Sequence, residues 1–206
     1  MYKIGITGSI GTGKTTVAKN FAIFRIPIFN ADKEIKKILN TEKVKRRIQK
    51  TWPQANKKND IDRLILREII FSNKNEKKKL ENLLYPYLNI ERIKFEEKNW
   101  NKKILVYDVP LIYETNSEKN YDLVLLVNCN PTVQRKRVLK RDKIPNSLYE
   151  KIIESQLTFS EKKKYNPKVI NTNNLKFFIF IKIVLLLINI LIRLSIKNGR
   201  KKKINT

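Results

Sequence analysis

Gly8-Ser9-Ile10-Gly11-Thr12-Gly13-Lys14-Thr15 fills each fixed position of the phosphate-cradling pattern G-x-x-x-x-G-K-[ST]. Its surroundings fit. Tyr2-Lys3-Ile4-Gly5-Ile6-Thr7 carries β-branched residues and predicts a strand, and Thr16 to Ala22 predicts a helix with Val17, Phe21 and Ala18 facing inward. The glycines permit positive φ and let backbone N–H groups approach phosphate oxygens, while the helix N-terminus adds partial positive charge. Lys14 is expected between the β- and γ-phosphates of a nucleoside triphosphate, and Thr15 is expected to offer its hydroxyl to magnesium. The plainer alternative is a glycine turn that opens an ordinary surface helix.

The chain has 206 residues, enough for one core with a small appended subdomain and too few for two full domains. Its formal net charge is +26, but the lysines are spread along the whole length among many asparagines and isoleucines. That spread reads as a broad compositional bias, so no specific nucleic-acid site is expected. The positive field favours a polyphosphate substrate and predicts non-specific nucleic-acid binding at low salt. Cys129 is the only cysteine, which excludes an internal disulfide or thiolate zinc cluster and fits a reducing, cytoplasmic compartment. There is no histidine, so proton transfer must use a carboxylate, lysine, tyrosine or water. The first strand begins at once, leaving no room for a secretory signal.

Further along, Arg25 to Asn30 reads as a second strand, with Asp32 at the head of a charged helix. Asp32 has two readings: a helix N-cap, or a carboxylate at a strand's C-terminal end facing an acceptor. Residues 41–60 are polar and interrupted by Pro53, which predicts a helix end and a loop. Asp62 then caps a helix carrying Leu64, Ile65, Ile69 and Ile70, on which Arg63 and Arg67 share one face, either solvated or functional. A helix from Asn75 to Leu84 is expected to break at Tyr85-Pro86 before a third carrying Leu88, Ile90, Ile93 and Phe95.

The apolar run Lys103 to Leu111 predicts a buried parallel strand with Asp108 at its tip, suited to magnesium or to a turn before Pro110. Tyr121 to Asn128 and Lys168 to Asn171 complete the strands. Pro131 opens a basic helix on which Arg137 and Arg141, four apart, could both face a triphosphate. Ile144 to Tyr165, with Gln156 inside, reads as a polar helical cover. Phe177 to Ile196 is overwhelmingly apolar and precedes a basic run, Lys197 to Lys203. It is long enough to span a bilayer, but Lys182, Asn189 and Arg193 align in one stripe, as on a helix packed against a sheet with that stripe toward water. An oligomer contact is a further reading.

With these residues in view, the chain resembles the dephospho-coenzyme A kinases. The resemblance covers most of residues 1–171 and rests on Thr7 to Thr16, Asn30-Ala31-Asp32, Asp62 to Phe71, Asp108-Val109-Pro110-Leu111-Ile112-Tyr113-Glu114 and Gln134 to Asp142. It implies an α/β three-layer P-loop fold of the nucleoside-monophosphate-kinase type, with a five-stranded parallel sheet, a helical acceptor-binding insertion and a lid. The division it suggests is a single domain over 1–176 and an apolar helix with basic tail over 177–206. Within the domain lie a core of about 1–40, 100–140 and 168–172, an insertion of about 41–99 and a lid of about 141–167.

The resemblance further implies ATP and magnesium, with dephospho-coenzyme A as the small-molecule acceptor, phosphorylated on its ribose 3′-hydroxyl. Gly11, Thr12, Gly13, Lys14, Thr15 and Thr16 would bind ATP, Asp32 would serve as base or orienter, and Thr15 and Asp108 would hold the metal. Arg63, Arg67, Pro110 and Leu111 fall on the acceptor side, and Arg137 and Arg141 on the lid side, Arg137 as a catalytic residue beside Lys14 and Asp32 and Arg141 as a contact to ATP. The chain departs from the family pattern at Asn30 for aspartate, Tyr85 for histidine, Lys162 for arginine and Asn166-Pro167 for Ala-Asp. A kinase for a nucleoside monophosphate is the nearest alternative. A basic polyanion- or membrane-surface-binding protein with a relic nucleotide loop is the more distant one. A monomer or weak homo-oligomer is expected.

Overall fold

The computed structural model describes residues 1–58, 60–173 and 175–204, those from 197 onward by backbone alone. In chain order the elements are β1 (Tyr2–Thr7), α1 (Lys14–Ile23), β2 (Ile28–Asn30), α2 (Ala31–Leu39), α3 (Glu42–Thr51), β3 (Asn56–Lys57), β4 (Asp60–Ile61), α4 (Arg63–Ser72) and α5 (Lys74–Lys98). They continue with β5 (Ile104–Asp108), β6 (Leu123–Asn128), α6 (Pro131–Asp142), α7 (Asn146–Glu154), α8 (Phe159–Lys163), β7 (Lys168–Asn171) and α9 (Lys176–Ile204).

Five strands form one parallel sheet in the order β2-β5-β1-β6-β7. Alternate residues face opposite sides, as the pleat requires. Ile104 and Val106 join Ile4, Ile6, Leu125 and Val127 under α1 and α9, while Leu105 and Tyr107 meet Phe29 and the Phe95 ring of α5 on the other side. Helices thus cover both faces, giving the three layers. A separate apolar cluster, with Ile38, Val44, Ile48, Trp52, Leu66, Leu80 and Leu84, holds the helical insertion together. A third, with Val138, Ile144, Leu148, Tyr149 and Ile152, joins α6 to α7.

Several expectations need correction. Residues 42–51 are a helix rather than a loop, because Val44, Ile48 and Trp52, spaced four apart, bury completely against the insertion and offset the polar remainder. Helix α5 runs unbroken through Pro86. Proline removes one intrahelical bond, but Leu80 and Leu84 before it and Leu88 after it pack in the insertion cluster, and Leu88 with Phe95 also packs on the sheet, holding both halves in line. Ile90 and Ile93 are exposed.

On α4, Asp62 does cap the helix, accepting from Leu64 and Ile65 N–H at 3.0 and 3.2 Å. The buried residue there is Leu66, whereas Leu64 and Ile65 are exposed. The second strand is confined to Ile28–Asn30, since Arg25 turns the chain with φ 55°. The stretch from Ile144 to Tyr165 is two helices, with a capping box at Thr158 and Glu161 opening the second.

Candidate nucleotide and acceptor site

Parallel pairing brings three strand ends together. Asp108 on β5 lies in register with Ile6 of β1 and Asn30 of β2, so the phosphate loop after β1, the head of α2 and Asp108 share one edge of the sheet. The loop backbone depends on its glycines. Gly13, with φ 96°, stands at the N-cap of α1, and a Cβ on Gly11, with φ 75°, would meet Val138 Cγ2 at 2.4 Å. Two glutamines brace the same loop. Gln134 Nε2 donates to Ile10 O at 2.7 Å, and Gln156 Oε1 accepts from Ser9 Oγ at 2.6 Å and Ile10 N at 3.3 Å.

Lys14 is buried, and its Nζ donates to Gly8 O at 2.8 Å and Ser9 O at 3.0 Å. Burial pulls its pKa below the usual lysine range, against the charges of Asp32 and Asp108. Asp108 is also buried, which raises it to about 6; Asp32 pushes it further up, and Lys14 and the Thr15 hydroxyl oppose the rise. Asn30 Nδ2 donates to Asp108 Oδ2 at 2.8 Å, while Asp108 Oδ1 is buried without a protein partner among the described residues. A buried carboxylate oxygen left bare beside a threonine hydroxyl is a hard-oxygen donor set, and it fits magnesium shared with phosphate oxygens.

Asp32 is not the cap of α2. Asn30 Oδ1 takes that role, accepting from Lys33 N at 2.7 Å, so the exposed Asp32 carboxylate stands in the first turn and its charge reaches both Lys14 and Asp108. Asn30 thus serves two groups at once.

Arg137 and Arg141 do not act as one pair. Arg137 donates to Thr172 Oγ1 at 3.1 Å and Thr172 O at 3.3 Å, and Thr172 Oγ1 donates to Thr12 O at 2.6 Å, so this arginine flanks the far side of the loop. Arg141 turns to Asp142, donating through Nε and Nη2 at 2.8 Å each; it feels the charge of Asp32, and its own charge is felt at Lys14. Asp142 is held below the usual carboxylate range by Arg141, with Arg67 and Lys36 adding to the effect. Arg67 and Arg141 therefore converge on one cleft, while Arg63 donates to Asn40 Oδ1 at 2.7 Å, farther along the insertion. Pro110 O accepts from Thr7 Oγ1 at 2.8 Å, fixing the turn that carries Leu111 three residues after Asp108. Thr16 lies in the first turn of α1 behind Thr15, its N–H bonded to Gly13 O at 2.9 Å.

Sequence reasoning missed one buried ion pair. Lys162 of α8 lies 2.8 Å from Glu114 Oε1, with side-chain exposures of 1% and 13%, and Leu157 N donates to the same oxygen at 3.1 Å. Glu114 therefore anchors the cover to the loop after β5, and the charge of Lys162 reaches Lys14. Tyr85, half-buried nearby, is raised by burial and by Glu81 and Glu114. The only advance signals were the placing of Glu114 in a stretch shared with the resembled family and of Lys162 where that family carries an arginine. The roles of Thr172, Gln134 and Gln156 carried no local signature. Asn174, three residues past β7, lies outside the described residues.

The chain is similar over most of its length to proteins of one family. The family described as dephospho-CoA kinase matches residues 2–176. The dephospho-CoA kinase of Rhodopseudomonas palustris is 34% identical over 176 residues, covering 84% of this chain and 88% of that protein. That of Fusobacterium nucleatum is 37% identical over 173 residues, covering 83% and 89%. A Thermus thermophilus crystal structure superposes with a TM-score of 0.75 at 25% identity, covering 91% of this chain and 96% of the other. The dephospho-CoA kinase of Campylobacter jejuni shares the fold at a TM-score of 0.56 and 23% identity, with coverages of 91% and 96%. The chain belongs to the dephospho-CoA kinase family.

Proposed function

We propose that this protein transfers the γ-phosphoryl group of ATP to the ribose 3′-hydroxyl of dephospho-coenzyme A, giving coenzyme A and ADP. The observation that carries the reading is the meeting of Lys14, Asp32, Asp108 and Arg141 at one edge of the sheet, in a chain of this family. Relatives named as dephospho-CoA kinases favour that acceptor over a nucleoside monophosphate, and an intact set of charged groups argues against a relic loop.

Phosphoryl transfer asks the protein mainly to position reactants and to stabilise charge. The loop N–H groups and Lys14 hold the β- and γ-phosphates. Thr15 and Asp108 would hold magnesium, which when bound would neutralise charge on the phosphate oxygens. Asp32, exposed at the head of α2, orients the acceptor hydroxyl and takes its proton. Arg141, held by Asp142 within reach of the Asp32 charge, faces the transferring group when the substrates are bound. Arg137 supports the loop through Thr172 and lies on the ATP side. Arg67, with Pro110 and Leu111, lines the acceptor side, and Arg63 contacts a more distant part of the acceptor.

The reading is tested by incubating the protein with magnesium, ATP and dephospho-coenzyme A and locating the new phosphate by phosphorus NMR. A 3′-phosphomonoester is the expected product. Phosphate at another position, or no new ester, contradicts the reading.

A further inference from the structure

Helix α9 begins at Lys176, where the family match ends, and its Lys176–Ile196 portion is long and apolar enough to cross a bilayer. Its surface has three sectors. Ile179, Ile183, Leu186, Leu187 and Ile190 are buried against Val17, Ala18 and Phe21. Lys182, Asn189 and Arg193 form an exposed polar stripe. The remaining sector holds Phe178, Ile181, Leu185, Ile188 and Ile192 at alternating spacings of three and four, and Leu185, Ile188 and Ile192 are 58%, 50% and 53% exposed. A helix docked on a sheet needs only one apolar face, and this one has two.

The second face continues beyond the helix. Phe24 stacks on Phe180 with ring centroids 5.9 Å apart, and a groove of about 490 Å³ opens between Phe24, Pro27 and Lys103 on one side and Val184, Leu187 and Leu191 on the other. Its charged lining residues are Arg25, Lys102 and Lys103, and the chain that forms the helix is basic. No aspartate or glutamate follows Glu161 in the chain, whereas Lys176, Lys182 and Arg193 lie on the helix and Lys197, Arg200, Lys201, Lys202 and Lys203 follow. A second copy placed on this face would set cations against cations. An anionic bilayer supplies both the apolar interior and the opposite charge.

We propose that the outward face of α9 seats the protein on an anionic lipid surface, with the helix lying in the plane of the interface. Crossing the bilayer would strip Ile179, Ile183 and Ile190 from Val17 and Phe21 and open the core, whereas lying in the plane keeps that packing. The groove borders Lys103 and Ile104 at the start of β5, and Asp108 ends that strand about 13 Å away by strand rise, so the nucleotide site stays open to water.

The test is flotation of the full chain with vesicles of phosphatidylcholine alone and of phosphatidylcholine with phosphatidylglycerol. Binding is expected only to the anionic vesicles. It is expected to fall at least about tenfold in the double variant Leu185→Glu, Ile188→Glu, since two half-exposed apolar side chains leave the interface. Phosphoryl transfer in solution and the unfolding temperature should match the parent chain. Four outcomes overturn the proposal: no flotation, flotation unaffected by the double variant, resistance to alkaline carbonate extraction, which marks a spanning helix, or a lipid-free dimer that the double variant dissociates.

Discussion

Asn30 Nδ2 lies 2.8 Å from Asp108 Oδ2 and closes one side of that carboxylate, while the same side chain caps α2 through Oδ1. One neutral amide thus satisfies one oxygen of a buried carboxylate and frees Asp32 from capping.

Replacing Asn30 with alanine leaves Asp108 Oδ2 buried without its donor and α2 without its cap. We expect a loss of about 1–3 kcal/mol, read as a lower denaturant midpoint, and a fall in turnover.

Asn30→Asp places a second carboxylate against Asp108, which already sits at about 6. Both carboxyl groups are then raised, the folded state binds more protons than the unfolded one, and stability falls as pH rises. The metal-free variant should be less stable than the parent at about pH 8, with the gap narrowing toward about pH 5 as one carboxyl takes up a proton. Magnesium with nucleotide should restore it. Thermal unfolding across that range checks both statements, and a pH-independent difference would contradict them.

Lys162→Ala leaves Glu114 without its partner in a buried setting. Loss of one member of such a pair costs about 3–5 kcal/mol, so the melting temperature should fall by roughly 6–20 °C. Combining it with Glu114→Leu should recover much of the loss. If the double variant is no more stable than the single one, the pair is not the reason.

Cys129 is buried with its Sγ 3.9 Å from Gly11 O, and burial raises its thiol against the opposing pull of Arg137. A raised thiol reaches its reactive thiolate form only at higher pH. Alkylation of the native protein should therefore be at least about 100-fold slower than in denaturant at about pH 8, and ATP should slow it further by stiffening the loop above it. Rapid labelling of the native protein at neutral pH would contradict this packing.

Much of this architecture is legible along the chain because its determinants are local. Ile4 and Ile6 before the glycines, and Val17, Ala18 and Phe21 after them, specify β1, the loop and α1 by period alone. Asp108 stands at the end of a continuous apolar run, so its place at a strand tip follows from the sequence. The misses are residues whose roles come from distant partners. Val44, Ile48 and Trp52 are too sparse to announce α3 until Leu80 and Leu84 are brought against them. Pro86 reads as a break because the packing of Leu88 and Phe95 lies outside any local window. Thr172, Gln134 and Gln156 reach the phosphate loop across 160, 124 and 147 residues of chain, which no spacing rule spans. Arg137 and Arg141 share a helix face by arithmetic, yet Thr172 draws one away and Asp142 the other.

The most direct measurement is ADP release by the purified protein with ATP and magnesium, comparing dephospho-coenzyme A, AMP and no acceptor. Release should require dephospho-coenzyme A and should fall at least about 100-fold in Lys14→Ala, which removes the charge held beneath the loop. Release that prefers AMP, or that survives the loss of Lys14, would contradict the assignment of this site.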